Sequence, residues 1–334
     1  MPGSTPRQIL VTGASGHIGA NLVRALLDAG HAVRTLDIQD SLALNDLDIT
    51  RCVGDVTRYE SITPAFHNVD TVFHLATIIT LKSSPDPLAR LVNVDGVRNV
   101  VNACLQQGIR RLIHFSSIHA FSEIPRDQTI DEARPDCLGI SRFPYDTSKA
   151  EGQRIVLEAA SRGLHAVIIH PTAVLGPHDY IPSAMGRVLL DLWHGRLPAL
   201  VSGGFNWVDV RDIVSGAITA AELGAPGEQY LLDGHYLSVS GLAALVHAAG
   251  GARPPRFTIP RWLAAMGLPF AAATSALTGA PPRFTRASLH ALGNHQRVSY
   301  QKAAQQLHYA PRPIKQTIAE TLDWFHQHGK LIRP

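Results

Sequence analysis

Cysteine is scarce: three residues, Cys52, Cys104 and Cys137, in a chain of 334. They are odd in number and far apart, and they form no Cys-x-x-Cys. This argues against a disulfide framework or a structural zinc site and fits a reducing, cytoplasmic setting. Seventeen histidines are present, but none stands in a His-Glu-x-x-His pairing, and no metal is expected. Charge is also thin, at 17% of residues, with 30 basic against 27 acidic and no long basic run. Such a chain has little to offer a nucleic acid or an anionic membrane. Repeats and low-complexity tracts are missing, and MPGSTPRQILVTG enters an apolar strand pattern with no signal-peptide h-region. One uncharged stretch, 262–280, approaches the length of a membrane span. Pro269, two glycines and several hydroxyls break it, and much of its apolarity is alanine. It reads as a buried or interface helix, with contact to a membrane surface as the alternative, and not as an integral segment.

With 45% hydrophobic residues, 334 positions suffice for one large domain or two unequal lobes. Strand-like runs alternate with helix-like runs through the first half. RQILVTG, HAVRTLD, CVGDV, DTVFHLA, RRLIHFSS and HAVIIHP read as strands, and 16–29 as a helix closed by Gly30. The strands are short continuous apolar runs, as in a parallel sheet buried on both faces. The expected fold is α/β, a Rossmann-type doubly wound parallel sheet over residues 1–175. Residues 176–334 would form a smaller, mainly helical substrate lobe, with segments near 200–232 returning to the sheet domain.

The first strand runs into VTGASGHIGANLV, where Gly13, Gly16 and Gly19 stand three apart at the mouth of a helix. Glycines there permit a tight turn and close approach of backbone to a pyrophosphate, which the positive helix end favours. Asp37 closes the second strand, where a carboxylate accepts from both ribose hydroxyls and repels a 2′-phosphate. NAD is therefore favoured over NADP. Asp55, after the third strand, sits where an adenine edge would lie, or it serves simply as a turn aspartate. Ala76 in His74-Leu75-Ala76 suits the close passage of chain behind a ribose, as it would suit any buried turn.

Tyr145 and Lys149 are four apart in FPYDTSKAEGQRIV and would share one face of a helix. A free phenol titrates near 10. A neighbouring ammonium would lower it toward the range of a useful base.

Taken together, these motifs resemble the extended short-chain dehydrogenase/reductase family, of the NAD-dependent epimerase/dehydratase type. Thr12 to Gly19, Asp37, Gly54-Asp55, His74-Leu75-Ala76, Asn93 in LVNVDGVRNV, Ser117 in HFSSIHAF and Tyr145-x-x-x-Lys149 carry the likeness, which continues through PTAVLGP and WVDVRDIVSG. The resemblance implies that Ser117 holds the substrate oxygen, with Ser116 as its near competitor. Tyr145 would exchange the proton, Lys149 would hold the nicotinamide ribose, and Asn93 would steady the helix or a water leading to Lys149. It further implies cofactor contacts from Ser15, His17, Ile18, Val56, Leu75, Thr77, Pro171 and Val174. Helices around 88–107 and 148–161 match those that pair subunits in the family, which implies a homodimer.

Departures from the pattern narrow the chemistry. Ile118 and His119 stand where dehydratases carry Asp-Glu, which disfavours dehydration. The arginine that grips a diphosphate before Val-Asp-Val is replaced by Phe205 and Asn206, and the one before PTAVLGP by His170. Arg187 or Arg283 would have to compensate. The C-terminal half is closer to the dihydroflavonol-reductase and hydroxysteroid-dehydrogenase-like branch. Phe205 and Trp207, with Pro177, Met185 and the run after Trp262, would form an apolar pocket or simply core, and His119 would face substrate or serve structurally. The expected activity is NAD-dependent interconversion of a secondary alcohol and ketone, or an aldehyde, in a small organic substrate. The alternatives are a sugar or nucleotide-sugar epimerase with retained NAD and, outside enzymology, a dinucleotide sensor or scaffold.

Overall fold

The computed structural model describes residues 6–269, 285–294 and 297–331. In chain order the strands are β1 (Gln8–Thr12), β2 (Ala32–Asp37), β3 (Thr50–Val53), β4 (Thr71–His74), β5 (Arg111–Phe115) and β6 (Ala166–Pro171). They continue with β7 (Ala173–Leu175), β8 (Leu200–Val201), β9 (Gly204–Asp209), β10 (Gln229–Leu232), β11 (His235–Ser238) and β12 (Thr258–Ile259). Seven of them form one sheet in the order β10-β6-β5-β4-β1-β2-β3, every pair parallel. The order reverses between β1 and β4, and the crevice for a ligand lies there, beyond the carboxyl ends of the strands.

Side chains alternate along each strand. Ile9, Val11, Phe73 and Ile113 therefore pack on one face with Leu22, Ala217 and Ala220 from the helices His17–Asp28 and Val210–Leu223. Leu10, Val72, Leu112 and Ile168 pack on the other with Val97, Val100 and Val156 from Val97–Gln106 and Pro144–Ser161. The doubly wound sheet is thus present. The third strand differs in detail. CVGDV was read as the strand, but pairing runs over Thr50–Val53 and stops before Gly54. There the chain turns in so tightly that a Cβ on Gly54 would lie 2.7 Å from the Ser61 carbonyl oxygen.

The second lobe is built on a three-stranded sheet, β11-β9-β7, and a two-stranded one, β12-β8. Helices Ala184–Trp193, Val239–Ala248 and Ile314–Gln327 cover them, with Leu189, Trp207, Leu242, Val246 and Phe325 in the core. The run 262–280 does not begin as a buried helix. Helix Arg261–Met266 contains no buried residue, and the positions from 270 to 280 lie outside the described residues. Among the described residues no helix is long and apolar enough to cross a membrane.

One irregularity positions the site. From Pro87 to Gln106 the chain is helical throughout, but it widens to π geometry over Leu91–Gly96. Such a bulge marks functional sites more often than chance, and here it carries Asn93. The helix Pro144–Ser161 crosses this turn at Gly152, where a Cβ would sit 2.5 Å from the Asn93 carbonyl oxygen. Only glycine allows that approach. Gly152→Ala should cost about 1–3 kcal/mol by overpacking against backbone and loosen the adjacent Asn93–Ser148 bond. Denaturant unfolding of the two proteins measures the difference, and equal midpoints would show that the helices have room to separate.

Candidate active site

The glycine turn is held from both sides. Gly13 takes φ +68, its N–H donates to the Leu36 carbonyl at 3.0 Å, and a Cβ there would lie 2.6 Å from the Ala76 nitrogen. Gly19 is equally tight, 2.4 Å from the Gly13 oxygen by the same construction. The His17 ring meets the Gly176 and Pro177 carbonyls at 3.2 and 3.1 Å, tying the loop to the chain after β7. At the end of β2 the Ser15 N–H donates to Asp37 Oδ1 at 3.3 Å. Asp37 Oδ2 and Ser15 Oγ are buried without a partner among the described residues. Burial raises the Asp37 carboxyl above its ordinary value, partly offset by the Ser15 and Ala14 hydrogen bonds. An unpaired buried carboxylate oxygen beside a backbone cradle that admits no side chain fits a dinucleotide: hydroxyls for Asp37 and phosphates for the N–H groups.

The other proposed cofactor positions fall around this cradle with different environments. Asp55 Oδ1 accepts from the Thr57 N–H at 2.9 Å and the Thr57 hydroxyl at 2.8 Å, so one of its oxygens serves the turn. Val56 is buried and packs against Gly96. Leu75 N–H donates to the Thr12 carbonyl. Leu75, Ile18 and Val174 lean on the core of the first sheet face, and Pro171 closes β6.

Ser117, Tyr145 and Lys149 come together at the carboxyl end of β5. Ser117 caps a short turn, accepting from the His119 N–H at 3.2 Å, and its hydroxyl is close enough to Tyr145 to draw the phenol down. Ser116 points the other way, its hydroxyl 3.3 Å from the Gln153 amide oxygen. Lys149, 4% exposed, donates from Nζ to the Phe115 carbonyl at 2.7 Å and lies 3.5 Å from Thr77 Oγ1. Asn93 accepts from the Thr77 hydroxyl and the Ile78 N–H, both at 2.8 Å, and donates to the Ile78 carbonyl at 2.9 Å and Ser148 Oγ at 3.0 Å. All four capacities of its amide are used. It fastens the loop after β4 to the catalytic helix.

The electrostatics correct one expectation. Lys149 was read as lowering the Tyr145 phenol. Instead burial pushes Tyr145 up to about 12, against a smaller downward pull from the Ser117 hydroxyl. Burial likewise brings Lys149 down to about 7. Desolvation penalises both charges, and Lys149 directs its proton to the Phe115 carbonyl. In this geometry both groups are held near neutrality.

Behind the three lies a buried polar layer that the sequence motifs did not mark. His170 Nδ1 is 3.2 Å from the Ser117 carbonyl and its Nε2 is 3.0 Å from the Gln229 amide, which is 2.9 Å from the Gln153 amide. Burial brings His170 down to about 4, so at neutral pH the ring has one proton to give. The Ser117 carbonyl can only accept and takes that proton. Gln229 Oε1 faces Nε2 and accepts from Gln153 Nε2. His170, which stands where the family carries arginine, thus fixes the backbone of Ser117. Strand register brings His74 opposite His114 with ring centroids 5.4 Å apart. Thr12 Oγ1 lies 2.7 Å from His74 Nδ1.

On the open side, His119 Nδ1 is 3.2 Å from Asp146 Oδ1, and its ring stands edge-on to Tyr145 at 5.7 Å. Burial would lower His119, but the hydrogen bond and charge of Asp146, helped by Glu123, bring it above its ordinary value. Asp146 directly follows Tyr145 in sequence, a carboxylate that could have been flagged at the helix start. Trp207 is 1% exposed, donates from Nε1 to the Leu237 carbonyl and packs edge-on to Phe205 at 5.4 Å. It is core, supporting the more open Phe205. Arg187 donates to the Pro182 carbonyl at 2.7 Å, and Arg283 lies outside the described residues. No group of three or more metal-ligating side chains occurs among the described residues.

A glycine cradle with an acid at the end of β2, beside a Ser/Tyr/Lys cluster, is the arrangement the family motifs imply, and a profile of the NAD dependent epimerase/dehydratase family matches residues 9–232. The chain belongs to that family. Among its relatives, sterol demethylase protein B of Methylococcus capsulatus is 32% identical over 96% of this chain and 99% of that one. A putative dihydroflavonol 4-reductase of Synechocystis is 30% identical over 96% and 94%. The solved structure of gox2253 superposes with a TM-score of 0.84 at 31% identity, covering 98% of this chain and all of that one. This member of the epimerase/dehydratase family is therefore an oxidoreductase of the extended short-chain type.

The lysine gives a pH test. Between about pH 7 and 10 the unfolded chain keeps the Lys149 proton and the folded chain does not, so folding stability rises with pH across that window. Lys149→Met should remove this contribution. The Tm of both proteins from pH 7 to 10 measures it, and parallel curves would mean that the amine is not desolvated.

Proposed function

We propose that this chain is an NAD-dependent dehydrogenase/reductase interconverting a secondary alcohol and its ketone in a largely apolar, polycyclic substrate. The observation that carries the reading is the Ser117–Tyr145 hydroxyl pair set over buried Lys149, beside a backbone cradle and an unpaired Asp37 oxygen. The cofactor, when bound, supplies the hydride acceptor or donor. The protein residues do the rest. Ser117 Oγ orients the substrate oxygen. Tyr145 Oη as the phenolate takes the alcohol proton during oxidation, and as the phenol gives a proton to the carbonyl oxygen during reduction. Lys149 Nζ, anchored on the Phe115 carbonyl, would hold the ribose of a bound cofactor and carries the countercharge while Tyr145 is ionised. His170 and Asn93 hold the two segments in place.

The apolar substrate class is supported by what the lobe presents. Phe205 and Met185 line its core edge. Arg187 is spent on a backbone carbonyl and Arg211 on Asp209 and Glu320, leaving neither guanidinium committed to a diphosphate. The relatives named for a sterol and a dihydroflavonol point the same way. Asp37 supports NAD over NADP, since its second oxygen is placed to accept and not to tolerate a phosphate. Exposed Leu88, Leu91 and Leu105 on the helix from Pro87 to Gln106 support pairing of two subunits.

Tyr145→Phe should reduce kcat on a steroid-type secondary alcohol by roughly 10²–10⁴ while leaving NADH binding, read by fluorescence, unchanged. Loss of both would place Tyr145 in binding instead. Asp37→Ala should erase most of the preference for NADH over NADPH, and a wild type that prefers NADPH would overturn the reading of Asp37. Dinucleotide that survives dialysis of the purified protein would favour an epimerase cycle over exchange at each turnover.

A further inference from the structure

The second lobe carries an apolar patch on its surface. Phe257, Trp262, Leu263 and Met266 are 72%, 66%, 40% and 65% exposed. Trp262 and Met266 are four apart on helix Arg261–Met266, with Leu263 beside them, so one face of a helix without buried residues presents them together. Such an assembly of large side chains is unusual on a surface that stays in water.

Its electrostatic setting is more unusual. From Gly234 to Ala319 the sequence has no aspartate or glutamate, against nine basic residues, among them Arg253, Arg256, Arg261 and Arg286. The remainder of the chain has 21 basic (30 less 9) and 27 acidic residues, so a near-neutral total hides a long stretch with no carboxylates and with cations, of which Lys302 and Arg312 pair with Glu228 and Asp212. The sequence shows no basic run because the excess comes from missing acids. Arg253, Arg256 and Arg261 are exposed and alternate with the apolar residues. Exposed apolar side chains interspersed along the chain with cations and no anions match the headgroup region of an anionic bilayer. A second copy meeting this face across a two-fold axis would set like charge against like. A nucleic acid would use the arginines and leave Leu263 and Met266 in water.

We propose that this face docks the protein peripherally on an anionic lipid bilayer through Phe257, Trp262, Leu263 and Met266. The docking helix packs against helix Arg286–Ala291. There His290 contacts Glu123 at 2.8 Å and Phe143 at 4.8 Å, next to the start of the catalytic helix. The patch therefore adjoins the open side of the site. That an apolar alcohol would enter from the bilayer rests on the function proposed above; the docking itself does not.

The test is co-sedimentation of the full-length protein with phosphatidylcholine vesicles with and without phosphatidylglycerol. The wild type should bind the anionic vesicles, and less so at high salt. Trp262→Glu and, separately, Met266→Glu should weaken partitioning roughly tenfold or more. Arg253→Glu with Arg256→Glu should weaken it only for anionic vesicles. Tm and NADH binding should be unchanged, since the substituted side chains are exposed. Wild type that ignores anionic vesicles, or variants that bind undiminished, would overturn the proposal. So would a Trp262→Glu protein whose only change is from dimer to monomer by light scattering, which would make the face an interface between copies. Loss of NADH binding by the wild type with vesicle binding intact would sink the proposed function and leave the docking standing.

Discussion

The hydrogen bond from Lys149 Nζ to the Phe115 carbonyl joins the sheet to the helix that carries the tyrosine. A lysine so buried needs an acceptor, and the last residue of β5 supplies one. Once that bond is made, the other relations follow. Tyr145, one helical turn before Lys149, comes over the end of β5. Ser117, two residues beyond Phe115, meets its hydroxyl. Thr77 and Asn93 close the far side. The bond forms only if the helix sits close to the sheet, and Gly152 on the Asn93 carbonyl permits that distance.

Burial then sets the proton chemistry. Neither the phenol nor the amine is comfortable with charge here, and burial drives their pKa values apart, to about 12 and about 7. A site in this condition ionises when something else compensates, which ties proton transfer to the arrival of cofactor and substrate. The neutral His170–Gln229–Gln153 layer makes the same point. An arginine at position 170 would bring a charge under Ser117, whereas the histidine brings a single directed proton. Burial first and then the Lys149 charge lower the tendency of His74, His114 and His170 to protonate, and His74 and His170 add to the effect on His114.

The lobes divide the labour by composition. The sheet domain holds Asp37, Asp146 and most of the carboxylates that pair with surface arginines. Residues 234–319, 86 in all, carry cations and no acids, and this stretch holds the exposed Phe257, Trp262, Leu263 and Met266. Binding of a dinucleotide and the proposed approach to an apolar environment thus use different parts of one molecule, joined where helix Arg286–Ala291 meets Glu123 and Phe143.

Much of the fold was legible because it is written in local signals. Short apolar runs, a triple-glycine turn and an acid at the end of β2 each depend on residues near one another in sequence, and their physics is backbone geometry and periodicity. The spacing of Tyr145 and Lys149 was legible for the same reason. The strand limits at Gly54 were not, because a close contact with Ser61 ends the pairing there. Nor were the direction of the Tyr145 shift, the four bonds of Asn93, or the placing of Ser116 below and Ser117 above. The role of His170 came from Gln229, 59 residues away in sequence but on the adjacent strand. The sequence by itself determined the chemistry available and the order in which it is laid along the sheet. Only the tertiary structure decided which groups lose water, since desolvation depends on neighbours brought from distant parts of the chain. That loss sets the charge each group can carry.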